Sequence, residues 1–359
     1  MIISTYKKYI LSVFIKTLFE ITLVFFALIL IINTFEEINF FRDANVGAYY
    51  PIFLSFLNVP SVLFDTLPFI FLISTLLFFI KLVNKNELSI FKYTGITNQQ
   101  ILFTIVIFSF FLGIILIFGF YTFSSKLKNQ YLLIKNDFTA DDKYLAVITE
   151  NGLWIRDETT YTINITNADK INNNFLNNVS IVQFDKNYNL IKVIESEEVD
   201  ILTKKWNIKK PIITENNITK TSDSIKINSN FDIELINNLF SNLSSMSLFE
   251  LNKLKKDYLK LGYSTVGIEV HQNKIISVPL YLTIMTLLSG IIMFNSKYRK
   301  SKVFNVILGI SLSVIIYYIN YFFNTVIETQ EVPYIVSVWG PQLMILIVIT
   351  INLVRLNEK

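Results

Sequence analysis

Three long apolar runs, an extended polar stretch and three more apolar runs make up this chain. The first group covers roughly Leu18 to Ile32, Val62 to Leu82 and Ile101 to Phe123. The second covers Ile275 to Phe294, Val303 to Phe323 and Ser337 to Val354. A helix needs about 20 residues to cross a hydrocarbon core of about 30 Å. The runs are of that order, so the pattern predicts six membrane-spanning helices in two groups of three. Tyr6 to Thr17, with Lys7, Lys8 and Lys16, forms an amphipathic lead-in to the first run. Asn33, Thr34, Phe35 and Glu36 follow that run where a small-residue cleavage site would stand, so it reads as a permanent span rather than a signal peptide.

Between the groups, roughly Ser124 to Phe240, the pattern changes to short segments rich in β-branched and aromatic residues. Gly152 to Arg156, Thr159 to Ile165, Val179 to Phe184, Leu190 to Glu195, Val199 to Thr203 and Trp206 to Ile208 read as strands. Asp157-Glu158, Asn172-Asn173-Asn174, Asp185-Lys186-Asn187 and Asn216-Asn217 read as turns between them. An antiparallel sandwich or jelly roll is the natural packing for such strands. A helix follows over Ser247 to Leu261: Ser247 with Glu250 has capping-box spacing, apolar residues recur at helical intervals, and Gly262 can close it. The predicted class is a helical membrane protein with an inserted all-β domain. It divides into a first membrane half over 1–123, a β domain with its linking helix over 124–262, and a second membrane half over 263–359.

Basic residues in the short connections orient the spans. Lys7, Lys8 and Lys16 precede the first span, Lys85 and Lys92 lie between the second and third, and Lys297, Arg299, Lys300 and Lys302 lie between the fourth and fifth. The opposite loops hold Arg42 against Glu36, Glu37 and Asp43, and then Glu328 and Glu331. Both termini are therefore expected in the cytoplasm and the β domain outside it. Composition agrees: 52% hydrophobic and 15% aromatic content, with mean hydropathy +0.47, is too apolar for one ordinary water-soluble domain. With 10 Gly in 359 residues, Phe, Ile and Leu are expected to fill the helix contacts. The net charge of +4 comes mostly from the basic loops and points to anionic lipid headgroups rather than nucleic acid.

Catalytic constellations are missing from the sequence. The absence of Cys excludes disulfides, thiolate metal sites and cysteine nucleophiles, and His271 is the single histidine. No phosphate-binding G-x-x-x-x-G-K-[ST] motif occurs, so nucleotide-driven work requires a partner. Asp65 and Glu20 are the ionisable residues that fall within or beside spans; Asp65 reads as lying within a turn or so of the outer boundary. The strongest local signal is Asn84 to Gly95, between the second and third spans. Asn84 with Glu87 has capping-box spacing, Gly95 supplies a stop, and Thr97 with Gln100 offers a second box opening the third span. A helix of about ten residues bounded this way carries Glu87, Leu88, Ile90 and Phe91. Two readings fit it: a helix lying in the headgroups, or a coupling helix docked in a cytoplasmic ATPase with Glu87 meeting a basic residue there.

At this segment the chain resembles the LptF/LptG permeases of the lipopolysaccharide exporter. Pro60 and Pro68 frame the start of the second span, and Glu87-Leu88 with Thr94-Gly95-Ile96 resembles the family's coupling segment. Glu269, His271, Lys274 and Pro279 fit the start of the fourth span, and Pro333, Trp339 and Pro341 fit the sixth. Gly152-Leu153-Trp154-Ile155-Arg156-Asp157 resembles the LptG version of the first jelly-roll strand, Trp206 recurs in a later one, and the Trp154 strand and the Leu248 to Gly262 helix resemble LptG more than LptF. The resemblance implies a multi-pass permease of the bacterial inner membrane, not itself an enzyme and without a cofactor. Its implied partners are an LptB-like ATPase dimer that uses the ATP, a sister LptF-like permease and periplasmic LptC/LptA-like jelly-roll proteins. Lipopolysaccharide and membrane lipids are the implied ligands. Coupling would fall to Glu87, Leu88, Ile90, Phe91, Thr94 and Gly95, and lipid contact to Phe35, Glu36, Phe40, Phe41, Arg42, Tyr317 and Tyr321. The outer end of the first span departs from LptG in offering Arg42 alone as a cation, where Glu36 and Glu37 would instead act through bridging divalent cations. Two other classes share this topology: an ion-coupled secondary transporter, which needs carboxylates near the bilayer midplane, and a membrane tether that transports nothing.

Overall fold

The structure, a computed structural model, describes residues 5–42, 46–47, 49–136, 138, 153–158, 162–172, 174–216, 218–233, 236, 242–261, 264–294, 302–328 and 333–357. The chain forms two compact units, Met1–Lys128 with Val266–Lys359, and Asn129–Thr265.

The first unit is helical. It contains α1 (Thr5–Phe40), α2 (Tyr49–Asn84), the short α3 (Glu87–Tyr93) and α4 (Asn98–Leu116). A π-helical turn, Ile117–Tyr121, leads from α4 into α5 (Thr122–Asn136), whose end lies in the second unit. With α6 reserved for a helix of the second unit, the first unit continues as α7 (Val266–Phe294), α8 (Lys302–Glu328) and α9 (Tyr334–Asn357). Six helices are long and apolar enough to cross a membrane, with α4, the π turn and α5 counting as one. The expected six spans are therefore present.

Helices α2 and α7 form the centre: α2 packs on α1, α7 and α8, and α7 packs on α4 and α9. Phe14 of α1 stands edge-on to Phe71 and Phe78 of α2 and to Phe108 of α4, with ring centroids 5.8 to 6.4 Å apart. Bulky aromatics thus fill the contacts, as composition suggests, but glycine marks the tightest approaches. A Cβ on Gly113 would lie 2.7 Å from Pro279 Cα, and one on Gly309 would lie 2.4 Å from the Leu76 side chain. Small polar side chains tie α7 to its neighbours: Thr286 donates to Ser109 Oγ of α4 at 3.1 Å and Ser289 to Leu72 O of α2 at 2.9 Å.

Helix α2 corrects one sequence expectation. Pro60 and Pro68 lie inside it rather than at its start, and helix begins at Tyr49. Proline lacks a backbone donor and interrupts the helical ladder. A membrane bundle tolerates it because neighbouring helices and Ser or Thr side chains take up freed backbone groups. Asp65 has sixteen residues of α2 ahead of it, counting from Tyr49, and so sits in mid-helix.

The second unit carries β1 (Leu153–Glu158), β2 (Ile163–Asn172), β3 (Phe175–Phe184), β4 (Leu190–Asp200), β5 (Lys205–Lys209), β6 (Ile212–Glu215), β7 (Ile218–Thr221) and β8 (Ser224–Asn228). All pair antiparallel in the order β1-β2-β3-β4-β5-β8, while β4 also carries β6 and β6 carries β7. The sheet forks at β4, where Val193–Glu195 pair with β6 and Glu198–Asp200 pair with β5. Ile155, Thr166, Ile181 and Ile194 lie opposite one another across four strands, and all are buried. A register slip of one residue would turn that row outward, so burial fixes the pairing.

Beyond β8 the chain turns back and closes the sheet. Asp157 on β1, 2% exposed, accepts hydrogen bonds from Asn230 Nδ2 at 2.8 Å and Asn230 N at 3.1 Å. The buried Trp206 indole donates to Phe231 O at 2.8 Å. Residues 230 and 231 follow β8, so the two ends of the strand order meet and the sheet is rolled. The predicted Asp157-Glu158 turn is therefore strand, with Asp157 as a closing residue. The predicted Leu190–Glu195 and the start of Val199–Thr203 are one strand, β4; β6 and β7 have no buried residue and no regular alternation, while β8 alternates at Ile225 and Ile227 and sequence reasoning missed it. The helix expected after the sheet is α6 (Leu248–Leu261), and its capping box forms: Ser247 N donates to Glu250 Oε2 at 2.7 Å. Gly152 and Gly262, with Asp43 and Lys297 to Lys300 of the charge argument, lie outside the described residues.

Candidate functional site

Helix α3 is built by its ends. At the start, Asn86 adopts a left-handed backbone with φ 57° and makes no side-chain cap, so the expected Asn84–Glu87 box does not form. The reason is that α2 runs on to Asn84, leaving that residue inside the preceding helix. At the end, Ile96 N donates to Phe91 O at 2.9 Å and Gly95 N to Lys92 O at 3.0 Å, with Gly95 at φ +82°. That pair of bonds is a Schellman stop, and it requires the left-handed conformation that glycine adopts freely. Thr94 Oγ1 adds a bond to Phe91 O at 2.9 Å. The second expected box does form: Thr97 and Gln100 exchange bonds of 3.0 and 3.2 Å and open α4. Helix α3 is accordingly seven residues long, shorter than expected.

Three faces result. One faces α1: Tyr9 Oη donates to Glu87 Oε1 at 2.7 Å, and the Tyr9 and Phe91 rings lie 6.4 Å apart. Lys85 Nζ is 4.0 Å from the same carboxylate oxygen. Glu87 and Phe91, expected to face a partner, are thus engaged within the chain. A second face carries Leu88, Ser89 and Lys92 and borders a cavity of about 340 Å³ reached also by Asn98, Met293, Phe294 and Asn305. The third face is open, with Ile90 at 57% and Tyr93 at 91% exposure. Sequence reasoning found Ile90 but passed over Tyr93 and Tyr9. The spacing of Ile90 and Tyr93, three apart on a capped helix, was the available signal.

The residues expected to contact lipid divide in the same way. Phe35 and Glu36 are exposed on α1, Phe40 is half-buried, and Arg42 beyond the helix is exposed. Phe41 is 4% exposed, packed edge-on to Phe40 and Tyr50 with centroids 4.8 and 5.6 Å apart, so it joins α1 to α2 and is not presented outward. Glu37 is buried while Glu36 is exposed, because adjacent helical residues point about 100° apart. The two carboxylates therefore point to different surroundings, Glu36 outward and Glu37 into the chain. Among the described residues no group of three or more His, Asp or Glu side chains converges as a metal site. Tyr317 and Tyr321 are both exposed on α8, and the Tyr317 ring lies 6.2 Å from Phe69 of α2.

Polar clusters sit towards both ends of α2. Glu20 pairs with Lys81 between α1 and α2, and Lys81 also donates to Thr17 Oγ1 at 3.0 Å. Lys128 Nζ donates to Asn58 Oδ1 at 2.7 Å. Asp65 feels the charges of Lys128 and Lys274, and His271 Nε2 lies 3.2 Å from the Tyr121 hydroxyl at the π turn. His271 is thus a partnered residue of the α4–α7 contact.

Burial is uneven among the spans. The hydrophobic windows of α2 and α7 are 61% and 67% buried, whereas those of α1 and α8 are 11% and 17%. Both weakly buried spans carry continuous apolar surface, including Phe19, Leu23, Leu28 and Phe35 on α1 and Ile307, Ile315, Tyr318 and Phe322 on α8. Such breadth of exposed apolar surface suits lipid or another helical subunit.

Among the described residues, six membrane-length helices, two of them central, with a rolled antiparallel sheet inserted between the third and fourth, define a helical multi-pass membrane protein with an inserted β domain. The family model for the lipopolysaccharide export system permease LptF/LptG matches residues 8–355, and the chain belongs to that family. No individual curated protein matches the chain.

Proposed function

We propose that this chain is one half of the membrane pore of a lipopolysaccharide exporter: it receives the glycolipid from the inner membrane and is driven by a separate ATPase seated on α3. The observation that carries the coupling is the open face of the Gly95-stopped helix α3, Ile90 with Tyr93, standing in the most basic end of the connection pattern. That end is cytoplasmic under the positive-inside rule, which leaves both termini inside and the sheet unit in the periplasm. The barely buried α1 and α8 are the surfaces for a sister permease and for lipid, through Phe35, Tyr317 and Tyr321. Rolled sheets of LptC and LptA type are the periplasmic partners. The LptG-like assignment rests on the Gly152 to Asp157 segment and on α6.

The test is purification of the chain co-expressed with its neighbours. A P-loop ATPase and a second six-span chain should co-purify, and hydrolysis should rise with lipopolysaccharide. Ile90→Asp should strip the ATPase from the complex. An ion-gradient response without ATPase would favour the secondary transporter, and indifference to Ile90→Asp together with absence of transport would favour the tether.

A further inference from the structure

The cavity on the second face of α3 has a chemistry that the open face does not explain. Its floor is apolar, with Leu88, Met293 and Phe294, and Ser89 and Lys92 stand on α3 at its side. Asn305, 3% exposed, gives its Nδ2 to Met293 Sδ at 3.6 Å, which leaves Oδ1 buried with no hydrogen-bond partner. Asn98 also lines the cavity, and its Oδ1 is likewise buried and unpartnered. Two carbonyl oxygens without donors, in one partly apolar hollow, are costly unless an occupant supplies the missing bonds.

Charge narrows the occupant. A carboxylate or phosphate would suit Lys92 and the helix N-termini but, having no donor to give, would leave both Asn oxygens unsatisfied. A cation would meet Lys92 and the positive ends of α4 and α8, which begin at Asn98 and Lys302. A neutral donor on an apolar stem satisfies both conditions. Location narrows it further, since Leu88, Ser89 and Lys92 share α3 with Ile90 and Tyr93, so whatever seats on the open face borders the cavity mouth. We infer that this cavity receives an amide- or hydroxyl-tipped segment of the same ATPase, whose donor groups bind Asn98 and Asn305. The inference rests on the coupling role proposed for α3, and makes that contact a two-sided grip rather than a single knob.

Because the chain contains no cysteine, Ser89→Cys places one unique thiol at the cavity. Labelled with a benzophenone maleimide in the intact complex, it should photo-crosslink to the ATPase; a crosslink to phospholipid or to this chain itself overturns the inference. Ser89→Trp, which blocks the cavity, should lower ATPase retention about tenfold, and Asn305→Leu should lower it severalfold while the thermal stability of the permease holds or rises. Retention within about twofold of the unaltered complex for both variants overturns the inference. If Ile90→Asp still strips the ATPase in that case, the coupling role of α3 stands without the cavity. If Ile90→Asp also leaves it bound, the coupling role fails as well.

Discussion

Glu87 shows how a residue's surroundings can be set by a contact far away in sequence. Its place at the head of a short helix between two spans marks it, yet its carboxylate is held by Tyr9 from 78 positions away in sequence. Nothing local announces that contact. Tyr9→Phe removes only the hydroxyl, and a net loss of about 1 kcal/mol is expected for one such bond. Faster amide exchange over Glu87–Tyr93, with α1 unchanged, is the measurement that checks it. Asp185 offers a second residue-scale prediction. Its carboxyl is held below the ordinary value of 3.8 by the Asn189 side chain, then by the backbone N–H groups of Asn189 and Asn187. A depressed carboxyl stabilises the β3–β4 turn above 3.8, and that contribution is lost as pH falls through the lowered value. Chemical shifts and exchange of the Asn187 and Asn189 amides should therefore change only in strong acid, and Asp185→Asn should abolish the transition.

At the scale of elements, close approach separates glycines that look alike in sequence. A Cβ on Gly113 meets the Pro279 backbone at 2.7 Å, whereas a Cβ on Gly290 meets the end of the Leu102 side chain at 2.5 Å. A flexible side chain can move away, and a backbone atom in a packed helix cannot. Gly113→Ala is expected to cost about 1–3 kcal/mol and Gly290→Ala clearly less, as read by thermal unfolding in detergent. In the sheet, Trp206 anchors the closing segment, and Trp206→Ala is expected to cost about 3–5 kcal/mol and to expose 229–231 to proteolysis. These elements were unevenly visible beforehand. Strands β1, β3, β4 and β5 were largely legible and β2 only at its start, since Thr159 to Ile165 meets Ile163–Asn172 in three residues; β6 and β7 bury nothing and carry no clear period, whereas the alternation of Ile225 and Ile227 in β8 was there to be read.

For the whole molecule, the contrast between buried α2 and α7 and exposed α1 and α8 predicts where assembly occurs. Single cysteines placed at Leu23 on α1 or Ile315 on α8 should react with lipid-phase reagents in the isolated chain and be protected when the sister permease or glycolipid is present. Protection at Phe71 or Leu287, both buried inside this chain, should be independent of partners.

The sequence by itself determined the six spans, their grouping three and three, the inserted β unit, the capped helix α6 and the Gly95 stop, because each depends on hydrophobic length, short-range period or a backbone conformation set within a few residues. Tertiary structure alone decided that α2 continues through two prolines, that Asp65 lies in mid-helix, that Phe41 and Glu37 turn inward, and that Asp157 closes the sheet against Asn230. Those outcomes depend on groups far apart in the chain that supply or deny hydrogen bonds and packing partners, which a local pattern does not record.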